Sequence, residues 1–145
     1  MEIKDEKALM DITTSTKLCV VHYMKPDFNR CRIMDEKLRV LAEKHFDTRF
    51  VSINVDNAPF LVVKLGIQVL PVVIAFVDGV SADRIIGFEG IGHKPDSFTA
   101  AELEARLLGC KVLVRAKMND ENSRSYARNA KQEEVQDDYD EDEWD

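Results

Sequence analysis

The most informative stretch of this chain is LGIQVLPVVIAFVDG, from Leu65 to Gly79. Gly66 is typical of the residue that ends a helix, and Pro71 stands at the head of the apolar strand that runs to Val77. A proline fits the first position of a strand because it lacks only an amide donor that is not needed there. Asp78-Gly79 then predicts a tight turn into a second strand from Asp83 to Phe88, so the stretch indicates an antiparallel hairpin.

Apolar periodicity on either side of this stretch predicts further helices and strands. In chain order these are a helix over 5–13, a strand over 18–24, a helix from 31 to 45, a strand over 49–55, a helix over 60–65 and, after the hairpin, a helix over 100–108. Strand-helix-strand units require parallel pairing, whereas the hairpin adds antiparallel strands. The order therefore predicts an α/β fold with a mixed central sheet and helices on both faces.

Residue spacing in these predicted helices also indicates local side-chain interactions at three places. Asp35 and Arg39 lie four residues apart on what we expect to be the outer face of their helix. Asp56-Asn57 supply a cap for the helix over 60–65. Thr99 caps the last helix, in which Glu102 and Arg106 are spaced to pair across one turn.

Length and charge separate a body from a tail. The 145 residues fit one domain, and the net charge of -7 comes from nine acidic residues after Lys131, without which 20 basic residues face 18 acidic ones. We expect a folded domain over 1–118 and a disordered acidic tail over 119–145. No clustered basic surface supports nucleic-acid binding, no apolar run approaches a membrane span, and the first residues lack a secretory core. These features favour a cytoplasmic, or also nuclear, protein.

The segment Phe28-Asn29-Arg30-Cys31 is half of a redox motif. It follows an apolar strand and opens a helix, where a C-x-x-C would indicate disulfide exchange, but Cys31 has no partner thiol. Cys19 and Cys110 lie far away in sequence, and an odd number of cysteines does not form a disulfide framework. The segment therefore has the position of a dithiol motif in the fold but lacks the second thiol that disulfide exchange needs.

Residues 65–79 resemble the thioredoxin signature Y-G-I-R-x-I-P-T-x-x-x-F-x-x-G almost position for position. Within that superfamily the blocks 28–35, 57–61 and 83–88 resemble the phosducin-like proteins, most of all the subgroup of thioredoxin domain-containing protein 9 and phosducin-like protein 3. The likeness covers about Glu2 to Leu113. It implies a thioredoxin-like domain that serves as a non-enzymatic regulator of the cytosolic chaperonin CCT/TRiC, which folds actin and tubulin. More distant relatives bind G-protein beta-gamma subunits, which is an alternative function.

The resemblance also implies roles for single residues. Phe28 occupies the place of the attacking thiol, and Cys31 matches the resolving cysteine, either as a structural thiol or as a redox-sensing or monothiol site. His22 stands where thioredoxins carry a buried acid, and we expect a core histidine with its hydrogen bonds satisfied. Pro71 matches the cis-proline beside the substrate groove, so a cis Leu70-Pro71 bond is predicted.

Cofactor and metal sites are not predicted. No His, Cys and Asp residues have metal-ligand spacing, and no glycine loop lies between a strand and a helix as phosphate binding requires.

The tail carries two aromatic residues, Tyr139 and Trp144, in a dense acidic run. It can act as a solubility tail, or its acids can steer the protein to a basic surface of a partner with Trp144 as an apolar anchor. The candidate partner-binding residues are therefore Tyr139, Asp140, Glu141, Asp142, Glu143 and Trp144.

Overall fold

The computed structural model describes residues 1–114, which form strands and helices. The elements are β1 (Glu2–Ile3), α1 (Glu6–Ser15), β2 (Leu18–Met24), α2 (Asn29–Lys44), β3 (Arg49–Asn54), a 3-10 turn (Val55–Asn57), α3 (Pro59–Leu65), β4 (Val72–Val77), β5 (Val80–Ile86) and α4 (Ala100–Gly109). The predicted order of helices and strands is confirmed, with one short strand added at the start. The predicted boundary at residue 118 and the tail lie outside the described residues.

The five strands form one mixed sheet in the order β1-β3-β2-β4-β5. β3 is parallel to β1 and to β2, whereas β4 is antiparallel to both β2 and β5. Tyr23 near the end of β2 pairs with Val72 at the start of β4, which in turn pairs with Ile86 at the end of β5. The end of β2, the start of β4 and the end of β5 therefore meet at one edge of the sheet.

Helices cover both faces of the sheet, as predicted. Because successive side chains of a strand point to opposite faces, Val20 packs in one core with Met34 of α2 and Leu103 of α4. Val21 packs in the second core with Leu9 of α1 and Leu61 of α3. β2 is buried over nearly its whole length, as its continuous apolar character indicates.

The start of α3 corrects the predicted cap at Asp56-Asn57. These two residues belong to the 3-10 turn, and α3 begins with Pro59 after Ala58, which has no capping side chain. The carboxylate of Glu6 instead accepts a hydrogen bond of 2.8 Å from the amide of Leu61. A residue of α1 thus satisfies a free amide at the start of α3.

The predicted pair of Glu102 with Arg106 is also wrong. The carboxylate of Glu102 accepts from the amide of Thr99, and the Thr99 hydroxyl accepts from the amide of Glu102, which completes a capping box. Arg106 turns to Asp83 of β5, with Nε donating at 2.7 Å and Nη2 at 2.9 Å. The capping box uses the carboxylate that the spacing assigned to the arginine.

Both boundaries of β5 differ from the prediction because of local geometry. Asp78 and Gly79 have φ of 53° and 81°, a conformation that closes a hairpin within two residues, so β5 begins at Val80 rather than at Asp83. Gly87, with φ of 61°, ends it before Phe88. β1 was missed because two residues are too short to display an alternating pattern.

Candidate functional site

The degenerate motif lies where β2 passes into α2. Phe28 is the N-cap residue of α2, in extended conformation, and makes no side-chain hydrogen bond to the first turn. Phe28 is 46% exposed. An attacking thiol at this position would gain acidity from the free amides and dipole of the helix start. Phenylalanine places apolar surface there instead.

Cys31 lies inside the first turn of α2 and is 2% exposed. Burial raises the pKa of its thiol, partly opposed by a hydrogen bond with the backbone of Lys25. Burial likewise raises the pKa of Cys19 to about 11 and raises that of Cys110. All three cysteines are free. Since the thiolate is the reactive form, none of them resembles an activated nucleophile.

His22 lies in β2 behind the motif and is 1% exposed. The prediction of a core position is correct, but the expectation of satisfied hydrogen bonds is wrong, because neither ring nitrogen has a partner among the described residues. Nδ1 lies 3.7 Å from Oδ1 of Asp35, which is too long for a hydrogen bond. The nearby imidazole, and secondarily the guanidinium of Arg39, lower the pKa of Asp35.

Asp35 therefore has a role that the sequence reading missed. Arg39 does donate to Asp35 at 2.8 Å, as the spacing predicts, yet the carboxylate is only partly exposed and turns towards the sheet rather than lying on the outer face. Asp35 is four residues after the buried Cys31, so the two share a helix stripe. That spacing was the available signal.

The peptide bond between Leu70 and Pro71 is cis, the isomer predicted from the sequence. Pro71 is buried, and its carbonyl accepts a hydrogen bond of 2.7 Å from the amide of Gly87. Val69, two residues before Pro71, and Ile86, directly before Gly87, are 51% and 39% exposed. We call the exposed apolar residues Phe28, Val69 and Ile86 the former-site surface. All three lie near the end of the sheet at which β2 ends, β4 begins and β5 ends.

The entrance to α2 is tied to the opposite loop. The guanidinium of Arg30 lies 4.9 Å from the ring centroid of Phe88 and donates to Asp96 at 2.8 Å. Phe88 in turn meets Phe98 edge to face. These contacts place the motif next to the segment that follows β5.

Other kinds of site are not supported within residues 1–114. No group of three or more His, Cys, Asp or Glu residues there could hold a metal ion. None of the helices in this part of the chain is long and apolar enough to cross a membrane. The six candidate binding residues of the tail, from Tyr139 to Trp144, lie outside the described residues.

Thioredoxins are among the solved structures that share this architecture. Mitochondrial thioredoxin 3 of Saccharomyces cerevisiae superposes with a TM-score of 0.61 at 18% identity, covering 75% of this chain and 93% of the thioredoxin. A mutant thioredoxin of Halobacterium salinarum superposes with a TM-score of 0.63 at 18% identity, covering 79% of this chain and 92% of the thioredoxin. The predicted thioredoxin-like fold is confirmed.

Comparison with curated proteins finds relatives of higher sequence identity than these thioredoxins. Thioredoxin domain-containing protein plp1 of Schizosaccharomyces pombe is 41% identical over 140 residues, which is 97% of this chain and 50% of plp1. Phosducin-like protein 3 of Dictyostelium discoideum is 39% identical over 75% of this chain and 59% of its own length. The predicted resemblance to the phosducin-like family is confirmed.

A third phosducin-like relative fits the same subgroup. Thioredoxin domain-containing protein 9 of Mus musculus is 36% identical over 113 residues, 78% of this chain and 49% of the mouse protein. No family model matches the chain. The chain spans about half the length of these phosducin-like relatives.

Proposed function

We propose that this phosducin-like domain is a non-enzymatic regulator of the cytosolic chaperonin CCT/TRiC in actin and tubulin folding, acting in the cytoplasm by protein-protein contact. The observation that carries the non-enzymatic part is Phe28, which stands at the exposed helix start where disulfide exchange needs a thiolate. The choice of the chaperonin comes from the family resemblance. Fold alone does not specify a partner.

The former-site surface is the contact region that we favour within the described residues. Phe28, Val69 and Ile86 expose apolar area at one edge of the sheet, and exposed apolar groups of this kind mark interaction sites when they lie together. Aromatic residues also contribute a large share of binding energy at interfaces. Replacing a thiol by phenylalanine at this position exchanges chemistry for contact area.

The monothiol alternative through Cys31 has less support. A thiol that is 2% exposed and whose pKa is raised by burial is a poor nucleophile and a poor redox sensor, because both need accessible thiolate. G-protein beta-gamma is the alternative partner, since it would bind the same scaffold. This alternative is tested by measuring binding to purified G-protein beta-gamma beside binding to the chaperonin.

The test measures binding of residues 1–145 to purified chaperonin, with Phe28→Ser as the variant and Phe46→Ser as its matched control. Phe46 is 87% exposed just after α2, about 24 Å along the helix from Phe28 at 1.5 Å per residue. We expect binding in the wild type, at least a fivefold loss for Phe28→Ser, since a contacting aromatic contributes more than about 1 kcal/mol, and no loss for Phe46→Ser.

Three outcomes would count against the proposal. Absence of chaperonin binding by the wild type would refute the proposed partner. Binding of purified G-protein beta-gamma by the same protein would then assign the alternative partner. Insulin-reducing activity that disappears in Cys31→Ser would refute the non-enzymatic function. For the tail, deletion of residues 132–145 is expected to weaken binding and to flatten its salt dependence if the acids steer association.

A further inference from the structure

The two edges of the sheet differ in length. Within residues 1–114 the sheet ends at β1 on one side and at β5 on the other. β1 pairs through only two residues, whereas β5 has seven, and its end residues Val80 and Ile86 are exposed and apolar. A long edge strand presents a row of amides and carbonyls to which a further strand can bond. β5 is therefore the edge at which another chain can extend the sheet.

The backbone of Arg84 faces away from β4. The amide of Gly87, one residue past β5, donates to the carbonyl of Pro71, which directly precedes β4. Along an antiparallel strand, groups that bond to the neighbouring strand alternate with groups that face away from it, so the amides and carbonyls of Arg84 and Ile86 face outwards. The bulge in β5 falls before Asp83, which leaves this alternation intact.

Both outward groups of Arg84 are bonded by the side chains of one ion pair. The Asp83 carboxylate accepts from the amide of Arg84 at 2.8 Å, and Nη2 of Arg106 donates to the carbonyl of Arg84 at 3.3 Å. The same guanidinium holds the Asp83 carboxylate at 2.7 and 2.9 Å, so the two side chains fix each other in place. The carbonyl of Ile86 accepts from the amide of Glu89 at 3.1 Å. A further strand at β5 thus meets backbone groups that are already bonded.

The segment after β5 leaves room for the guanidinium of Arg106. The carbonyl of Glu89 accepts from Nη1 of Arg106 at 3.1 Å. Gly90, the next residue, has φ of 73°, a conformation that glycine adopts readily. A Cβ atom at Gly90 would lie 2.5 Å from Nη1. The loop therefore accommodates an arginine that reaches from α4 across the edge of β5.

We propose that the Asp83–Arg106 pair blocks strand addition at β5 and so prevents this domain from pairing with a second copy of itself. A two-fold pairing of two β5 strands would join both sheets into one, whose outer edges are the two-residue β1 strands. Such an assembly closes as a dimer. The inference goes beyond chaperonin regulation, since it concerns the edge of the sheet whichever partner the domain binds.

The experiment compares two double variants of the full chain, each of which loses one aspartate and one arginine and so keeps the net charge of -7. Asp83→Ala with Arg106→Ala removes the block at β5. Asp35→Ala with Arg39→Ala removes the Arg-Asp pair of α2 and is the matched control. Replacing both members of a pair leaves no unpaired charge behind. Static light scattering measures the mass over a series of protein concentrations, and circular dichroism shows whether each variant is folded.

We expect the wild type and the control to keep the mass of a monomer at every concentration. The mass of the β5 variant is expected to rise with concentration towards roughly twice that value, because a two-fold pair closes on itself. Hydrogen exchange at the amides of Arg84 and Ile86 should slow as the mass rises, since a new strand bonds these outward groups.

A folded β5 variant that stays monomeric at every concentration would refute the block. Equal association of the control would show that loss of any Arg-Asp pair is sufficient, and association without slower exchange at Arg84 and Ile86 would place the contact elsewhere. If the double variant does not fold, Arg106→Met, which keeps most of the side-chain length but none of its donors, is compared with Arg39→Met under the same criteria. Chaperonin binding is measured separately, so failure here leaves that proposal to its own test.

Discussion

Arg106→Ala tests how α4 is held to the sheet. Arg106 donates to both carboxylate oxygens of Asp83 and also to the carbonyls of Glu89 at 3.1 Å and Arg84 at 3.3 Å. The side chains of Arg106 and Asp83 are 26% and 22% exposed. Breaking a buried pair costs about 3–5 kcal/mol and an exposed pair about 0–1 kcal/mol. For this mostly buried pair we expect a loss of about 2 kcal/mol in the free energy of unfolding.

Arg39→Ala is the matched control, because it removes an arginine from another Arg-Asp pair with side chains 72% and 42% exposed. It is expected to cost about 0.3–0.5 kcal/mol. Urea unfolding followed by circular dichroism measures both, since the single tryptophan, Trp144, lies outside the described domain. With a slope near 1.5 kcal/mol per molar urea, Arg106→Ala lowers the midpoint by roughly 1.3 M. Equal losses for the two variants would refute the argument that burial makes the Asp83 pair the stronger one.

Two further predictions concern titration and thiol access. The hydrogen bond from Arg106 lowers the pKa of Asp83. Burial opposes ionisation of Glu104, but its contacts with His45 and Lys44 still lower its pKa. Each ionised carboxylate therefore stabilises the folded state above its unfolded-state pKa, and this stability is lost as pH falls from about 5 through the folded-state pKa values. The urea midpoint should drop over this range, and less steeply in Asp83→Asn; an unchanged pH profile in that variant would contradict the assignment. In the native protein Ellman's reagent is expected to label one thiol, that of the part-buried Cys110, and three in urea, because Cys19 and Cys31 are buried; Cys110→Ser should abolish the native labelling, and rapid labelling of Cys31 would contradict its burial.

Local pattern was sufficient for most of the fold and insufficient for the contacts between elements. The stretch from Leu65 to Gly79 predicted the hairpin, its turn and the position of Pro71 at the head of a strand, because turn residues and a continuous apolar run act over short distances. The cap of α3 by Glu6 joins residues 55 positions apart, and the Arg106 pair joins residues 23 apart. Spacing offers many acceptors at such separations, and only the packed structure selects one.

The candidate site was half predictable for the same reason. Phe28 and Cys31 were identifiable because their motif is contiguous and the resemblance assigns each position. The approach of Asp35 to His22 depends on how α2 rotates over β2, which periodicity leaves open within about one residue position around the helix. The groove between α2 and strands β1 and β3 could not be predicted from the sequence, since it depends on how far α2 packs from these strands.

The first turn of α2 differs from the other helix starts in a way that bears on function. α1 has a capping aspartate and α4 a capping box, and Glu6 reaches the start of α3. The start of α2, in contrast, has no side-chain cap, no acidic residue and two arginines, Arg30 and Arg32, near the positive end of the helix dipole. Such a start sacrifices helix stability, and natural sequences break local rules mainly at functional sites. The end of α2 that carries Phe28 is therefore the end at which we expect selection for contact rather than for folding.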